Sequence, residues 1–155
     1  APALPHPTPD PTMPHTILVV DDSAVVRGLH GHHLRGAGYT VLEAENGFVA
    51  LEVLAAHRCD AAVVDVNMPL MDGITLLREL RAAPATCSLP VAIASSEHDA
   101  HDVALGTAAG ADAYLVKPTA GAALVAVVRG MLERAPAPTP DSVAAPRRRL
   151  ARPGG

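Results

Sequence analysis

Four short apolar segments of this sequence each end at a residue that could do chemistry. The segment ends carry two adjacent acids, a third acid, a hydroxyl and an amine: Asp21 and Asp22, Asp65, Ser95, and Lys117. Carboxylate oxygens are hard ligands that suit Mg²⁺. A carboxylate with a free oxygen can also attack phosphorus when a cation and an amine neutralise the charge. The residue types therefore predict phosphoryl transfer to a carboxylate, provided that the side chains meet.

Short β-branched segments alternate along the chain with segments of helical periodicity, and turn residues stand at the junctions. This alternation is typical of βα units in a doubly wound α/β fold with a parallel sheet. Ligands of such sheets gather at the carboxyl ends of the strands, so the polar side chains are expected at one edge. The strands are predicted at residues 16–20, 39–44, 61–65, 90–94 and 113–116, and the helices at 23–36, 46–56, 73–82, 99–109 and 120–134.

The composition fits one globular domain with two extensions. The chain has 155 residues, of which 49% are hydrophobic, so a sizeable core can form. Residues 1–14 form a proline-rich arm and residues 135–155 a tail rich in proline and arginine. We predict that both are disordered, because neither has apolar periodicity, and that residues 15–134 form the domain.

Charge and aromatic content argue against a nucleic-acid partner. The net charge is -4 and aromatic residues make up 2% of the chain, which leaves little surface on which bases could stack. No apolar segment reaches the ~20 residues that a membrane span needs. Cys59 and Cys87 occur without a CxxC motif and are predicted to be reduced, structural thiols of the kind that is usually buried. We therefore predict a cytoplasmic protein that binds neither nucleic acid nor membrane.

Several motifs in a fixed order resemble one known family. They are VVDDS at 19–23, ENG at 45–47, VVDVNMPLMDG at 63–73, SLPVAIASS at 88–96 and GADAYLVKP at 110–118. Each is weak alone, but together they resemble the receiver domains of two-component response regulators, in particular the single-domain CheY-like regulators. The resemblance covers residues 16 to 134. It implies a flavodoxin-like (βα)5 fold with strand order 2-1-3-4-5.

The resemblance also implies roles for individual residues. Asp65 would be the phosphoacceptor, and Ser95 and Lys117 would contact the phosphoryl group. Ser95 and Tyr114 would form the switch that signals on the face of the fourth helix, fifth strand and fifth helix. The remaining implied residues are Asp21, Asp22, Asp65 and the Asn67 backbone carbonyl as Mg²⁺ ligands, Asn67 and Glu97 as residues that tune the lifetime of the acyl phosphate, and a cis peptide between Lys117 and Pro118.

The implied partners are a histidine kinase or a histidine phosphotransfer protein and an unknown downstream protein. Such a receiver phosphorylates and dephosphorylates itself and is not a turnover enzyme. The signalling face has few charges for a symmetric dimer, so we expect a mainly monomeric protein that could dimerise on activation. Asn67 cannot act as a general base because an amide does not ionise.

Other functions remain open on the sequence. A phosphorelay intermediate or a phosphate sink would use the same site without an output of its own. A phosphatase of the haloacid-dehalogenase type also uses an aspartate at a strand end, but it places a general acid where this chain has Asn67. A dinucleotide-binding fragment would need a GxGxxG motif, which the chain lacks. A non-phosphorylated adaptor would be expected to lack one of the site residues.

Several polar residues have simpler interpretations. Asp72 is interpreted as a helix cap rather than a site residue. The cluster of His30, His32 and His33 could suggest zinc, but two histidines at i, i+3 without a third ligand make a poor site. His98 and His101 are interpreted as solvated. Tyr114 could be only a core aromatic with its hydroxyl at the surface.

Overall fold

Five short strands form one parallel sheet, and every strand lies within one residue of its predicted position. The computed structural model describes residues 14–95 and 100–134. The sheet order is β2-β1-β3-β4-β5, as predicted. The strands are β1 Thr16–Val20, β2 Thr40–Ala44, β3 Ala61–Asp65, β4 Val91–Ser95 and β5 Ala113–Val116.

Five helices cover the sheet: α1 Ala24–Gly36, α2 Gly47–Ala56, α3 Gly73–Ala82, α4 Ala100–Ala109 and α5 Gly121–Arg134. The core divides accordingly into two clusters. One contains residues of α1 and α5, and the other contains residues of α2, α3 and α4. None of the described helices is both long enough and apolar enough to cross a membrane.

Some predictions concern residues outside this description. The predicted arm at 1–14, apart from its last residue, and the tail at 135–155 lie outside the described residues. The same holds for Glu97 and His98, and for the side chain of His101.

The strand sequences explain why the sheet is buried on both faces. Along β1, Leu18 and Val20 point into one core cluster, whereas Ile17 and Val19 point into the other. Every residue of β3 and β4 is buried. Strands buried on both faces carry continuous apolar runs instead of alternating ones, which is why the runs in this sequence are uninterrupted until the polar residue at the strand end.

The first three helices begin at a residue whose side chain caps them. Ser23 Oγ accepts from Val26 N at 3.2 Å at the start of α1. Asn46 does the same at the start of α2, and Asp72 Oδ1 accepts from Thr75 N at 2.8 Å at the start of α3. The prediction that Asp72 is a cap is confirmed. These caps satisfy backbone donors that a helix start leaves without partners, and they fix where each loop turns into its helix.

Arg81 ties together the sheet edge opposite the predicted site. Its guanidinium donates to the carbonyls of Gly110, at 2.8 and 3.1 Å, and of Leu89 at 2.7 Å. It also pairs with Asp112 Oδ2 at 3.0 Å, and the same oxygen accepts from Val91 N. The end of α3 is thus joined to the starts of β4 and β5.

The prediction for the cysteines was partly wrong. Both Cys59 and Cys87 are free thiols, but Cys87 is exposed because it lies in the loop that follows α3. Cys59 is half-buried beside Asp60. Burial and the neighbouring carboxylate raise the pKa of the Cys59 thiol to about 11, so this group stays protonated near neutral pH.

Candidate functional site

The chain leaves β1 at two acids with different surroundings. Asp21 is buried, with 2% exposure, whereas Asp22 is exposed. The Asp21 backbone N–H continues the sheet pairing by donating to the Ala44 carbonyl at 3.1 Å, and its carboxylate accepts from Ser23 N at 2.9 Å. One carboxylate is therefore fixed and the other is open to solvent.

The third acid, Asp65, is the last residue of β3 and is 3% exposed. The first residue of α3, Gly73, packs directly on its backbone. A Cβ at Gly73 would overlap the Asp65 carbonyl oxygen, and the Gly73 N–H donates to the Val66 carbonyl at 2.9 Å. Only glycine allows α3 to begin this close to the end of β3.

The carboxylates of Asp21, Asp22 and Asp65 converge at the carboxyl edge of the sheet. One oxygen of each lies within 4.8 Å of the others, a spacing at which a single cation could bind all three. Three hard oxygen donors with one exposed member suit a cation such as Mg²⁺, which keeps several of its waters. Among the residues that the structure describes, the histidines of α1 do not form such a group.

Lys117 brings the amine into the same cluster. Its Nζ lies 2.9 Å from Asp21 Oδ2 and 3.2 Å from Asp65 Oδ1. The backbone N–H of Lys117 donates to the Ser95 carbonyl at 2.7 Å, and the Lys117–Pro118 peptide is cis. The amine thus neutralises part of the charge of two buried acids.

Burial and charge shift the pKa values of this cluster. Burial, followed by the charge of Asp21, raises the pKa of Asp65 to about 6, although Lys117 and the backbone N–H of Asn67 favour the ionised form. Burial would lower the pKa of Lys117, but its hydrogen bond to Asp21 and the charges of both acids outweigh burial and raise it. At neutral pH Lys117 is therefore charged and Asp65 mostly ionised, which is the form that can attack phosphorus.

The other predicted site residues surround this cluster. Ser95 is fully buried at the end of β4, and Tyr114 is partly buried in β5, where it packs against the core cluster of α2, α3 and α4. Asn67 is exposed in the loop after β3. The structure leaves the predicted roles of Ser95, Asn67 and Tyr114 as predictions.

Sequence reasoning missed two residues of α1 near Asp21, one in contact with it and one that senses its charge. Arg27 Nη1 donates to the Asp21 carbonyl at 2.7 Å, and His30 is buried close enough to sense the charges of Asp21 and Lys117. Burial lowers the pKa of His30, and the charge of Asp21 opposes this shift. Helical side chains lean towards the start of their helix, so a long polar side chain in the first turns of α1 was a usable signal for Arg27.

Comparisons with known proteins agree with this arrangement. Residues 17–129 match the family model described as "Response regulator receiver domain". Response regulator MprA of Mycobacterium sp. (strain KMS) is 41% identical over 133 residues, which are 85% of this chain and 57% of MprA. Transcriptional regulatory protein PrrA of Mycobacterium tuberculosis is 41% identical over 79% of this chain and 52% of PrrA. The chain thus spans about half the length of the curated relatives that it matches.

Solved structures show the same architecture. Chemotaxis protein CheY4 of Vibrio cholerae has a TM-score of 0.74 and 32% identity, covering 77% of this chain and 99% of CheY4. The receiver domain of a signal transduction histidine kinase from Syntrophus aciditrophicus has a TM-score of 0.72 and 32% identity, covering 81% of this chain and 97% of that domain. Taken with the family match, these likenesses show that the chain belongs to the response regulator receiver domain family.

Proposed function

We propose that this chain is a phosphorylation-activated receiver that accepts a phosphoryl group on Asp65 from a histidine kinase or a histidine phosphotransfer protein. The observation that carries the proposal is the surroundings of Asp65. A buried carboxylate lies 3.2 Å from an ammonium group and shares a possible cation site with two further acids. Positioning and charge neutralisation are the main requirements of phosphoryl transfer.

The proposed step forms one bond and breaks one. A carboxylate oxygen of Asp65 attacks the phosphorus of a phosphohistidine, and the bond between phosphorus and the imidazole nitrogen breaks. The imidazole keeps the electron pair and takes up a proton from solvent, while Asp65 becomes an acyl phosphate. Lys117 Nζ, already 3.2 Å from Asp65, stabilises the transferred oxygens, and Ser95 is proposed to donate a hydrogen bond to one of them.

Mg²⁺ is part of the proposal because the donor set suits it. Asp21, Asp22, Asp65 and the Asn67 carbonyl are proposed to hold the ion, which would neutralise charge on the phosphoryl oxygens. Asn67 cannot activate a water as a base, so loss of the phosphoryl group should depend on a positioned water. Glu97 is proposed to tune the same lifetime. The protein would cycle between two forms and would not turn over an external substrate.

The first experiment is labelling with acetyl phosphate or phosphoramidate and Mg²⁺, read out by intact-protein mass spectrometry. Wild type should gain one phosphoryl group, and EDTA should prevent this. Asp65→Asn should not be labelled. Asp72→Asn is the matched control, because it makes the same change in the neighbouring loop at a residue that only caps α3.

Equal labelling of Asp65→Asn and wild type would show that another residue is the acceptor. Wild-type protein also tests the alternative function, a phosphatase of the haloacid-dehalogenase type. Continuous hydrolysis of p-nitrophenyl phosphate by wild type would favour that enzyme class. We expect no continuous release of p-nitrophenol, because position 67 offers no general acid.

Exposed apolar side chains support a protein partner at this edge of the sheet. Among the described residues, the large apolar side chains that remain exposed lie at the carboxyl edge or on the first turns of the helices that follow it. They are Val25 and Leu29 of α1, Phe48 of α2, Leu70 of the loop after β3, and Val116 at the end of β5. Exposed apolar groups near a reactive site favour a docking surface there. We propose that the phosphodonor protein binds here.

The output is proposed to follow from the switch pair Ser95 and Tyr114 and to appear on the face formed by α4, β5 and α5. PrrA is named a transcriptional regulator, so control of transcription is a second candidate output. We keep the prediction that the partner is a protein rather than a nucleic acid, because the chain is acidic and poor in aromatic residues. A cytoplasmic, mainly monomeric protein remains part of the proposal, and light scattering before and after beryllofluoride treatment would test its oligomeric state.

A further inference from the structure

Asp21 has four hydrogen-bonding groups: its N–H, its carbonyl oxygen and its two carboxylate oxygens. Each of them makes a hydrogen bond with a different part of the fold. Its N–H donates to the Ala44 carbonyl of β2, and its two carboxylate oxygens accept from Ser23 N and Lys117 Nζ. The fourth contact is to the Asp21 carbonyl, which accepts from Arg27 Nη1 at 2.7 Å. This hydrogen bond is the shortest of the four. Its donor, Arg27, has no other role in the proposed chemistry.

The Arg27 contact fixes more than one residue. The Asp21 carbonyl belongs to the peptide group that joins Asp21 to Asp22, and a peptide group is planar. Holding that oxygen therefore sets the direction in which the chain continues from the buried acid to the exposed one. Asp22 has no side-chain partner among the described residues to orient it, so its direction depends on this peptide.

Arg27 is itself held in place from β2. Its Nε lies 3.1 Å from Glu43 Oε1, and the other Glu43 oxygen lies 3.3 Å from Arg35 Nη2. Arg27 is mostly covered, with 19% side-chain exposure, whereas Arg35 is 52% exposed. A guanidinium can serve Glu43 and the Asp21 carbonyl at once because its donors form a rigid planar fork, which a lysine lacks.

We propose that Arg27 is a positioning residue of the cation site, and that Glu43 holds it in position. The inference rests on the proposed function, since it assumes that the three acids bind Mg²⁺. Arg27 does not touch the ion. It orients the peptide between Asp21 and Asp22, so that the two carboxylates present their oxygens together with that of Asp65.

Two effects of Arg27 on the ion oppose each other. Its positive charge repels a cation, so removing the charge could tighten binding. Its hydrogen bond orients two ligands, and loss of such outer partners typically weakens metal affinity by about 10–100-fold. Glu43, which Arg27 shares with Arg35, offsets part of this charge, so orientation should dominate.

The experiment measures Mg²⁺ affinity directly, by isothermal titration calorimetry or by competition with Mn²⁺ in electron paramagnetic resonance, because the chain contains no tryptophan as a probe. Arg27→Gln should raise the Kd about tenfold. Arg27→Lys keeps the charge without the fork and should also bind several-fold more weakly. Glu43→Gln should weaken binding by about threefold, as a partial loss of this support. Arg35→Gln is the matched control, since it loses a contact with Glu43 and none with Asp21, and should stay within about twofold of wild type.

A role in folding alone would lower stability without changing the Kd of the folded protein, so urea denaturation is measured on the same variants. If wild type binds Mg²⁺ but Arg27→Gln binds it equally or more tightly, the positioning role is refuted and the proposed function stands. If wild type does not bind Mg²⁺, both ideas fail. If Arg27→Gln does not fold, the Mg²⁺ affinity of Glu43→Gln is the test instead. Weaker binding by that variant supports the inference, and an unchanged Kd overturns it.

Discussion

The raised pKa of Asp65 predicts that this residue destabilises the fold when no metal is bound. Its pKa is raised from an ordinary value of 3.8 to about 6, chiefly by burial and next by the charge of Asp21. At about 1.4 kcal/mol per pH unit, this difference corresponds to roughly 3 kcal/mol. Asp65→Asn keeps the shape and removes the charge, so it should stabilise the metal-free protein by about 1–3 kcal/mol near pH 8.

The sign of the pH dependence follows from linkage. The folded state holds the Asp65 proton more tightly than the unfolded chain does, so this group contributes stability that is fully present below 3.8. That contribution is lost as the pH rises towards about 6 and is absent above it. The advantage of Asp65→Asn should therefore be largest near pH 8 and should fall to about a third of that value near pH 4.5.

The assay is urea denaturation followed by far-ultraviolet circular dichroism, in EDTA, at both pH values. Glu79→Gln is the control, because it neutralises an exposed acid of α3 and should change stability by less than about 0.5 kcal/mol. The reasoning is refuted if Asp65→Asn is no more stable than wild type near pH 8, or if its advantage does not depend on pH. Adding Mg²⁺ should stabilise wild type more than the variant, because the proposed cation site includes the Asp65 carboxylate.

Four further substitutions test the site and its support, one of them as a control. Lys117→Met leaves two buried acids without their cation, so stability near pH 8 should fall by about 2–4 kcal/mol, and an equal loss near pH 5 would contradict the electrostatic cause. Gly73→Ala forces backbone atoms apart at Asp65 and should cost about 2–4 kcal/mol in urea denaturation, whereas Gly28→Ala, which meets nothing within 4 Å, should gain up to about 1 kcal/mol. His30→Leu removes a buried imidazole whose pKa is lowered from 6.5, so the stability of wild type relative to the variant should fall as the pH drops below that value, as denaturation of both proteins near pH 7.5 and pH 5.5 would show.

The sequence predicted the elements closely because each carries its own local signal. Strands of β-branched residues end at a polar residue, and caps such as Asp72 mark where helices begin. The number and order of these units, read with the family resemblance, then fixed the sheet order. Where prediction failed, as for the exposure of Cys87, the residue lies in a loop whose path no periodic pattern determines.

The sequence by itself determined which residues could do the chemistry and that they would share one sheet edge, because parallel strands joined by helices end on the same side. Tertiary structure alone decided how they are held: which of two adjacent acids is buried, that Lys117 pairs with both Asp21 and Asp65, and that Arg27 donates to the Asp21 carbonyl after β1. These contacts join segments far apart in the chain. Their distances depend on how the strands and helices pack, and no local pattern of residues encodes them.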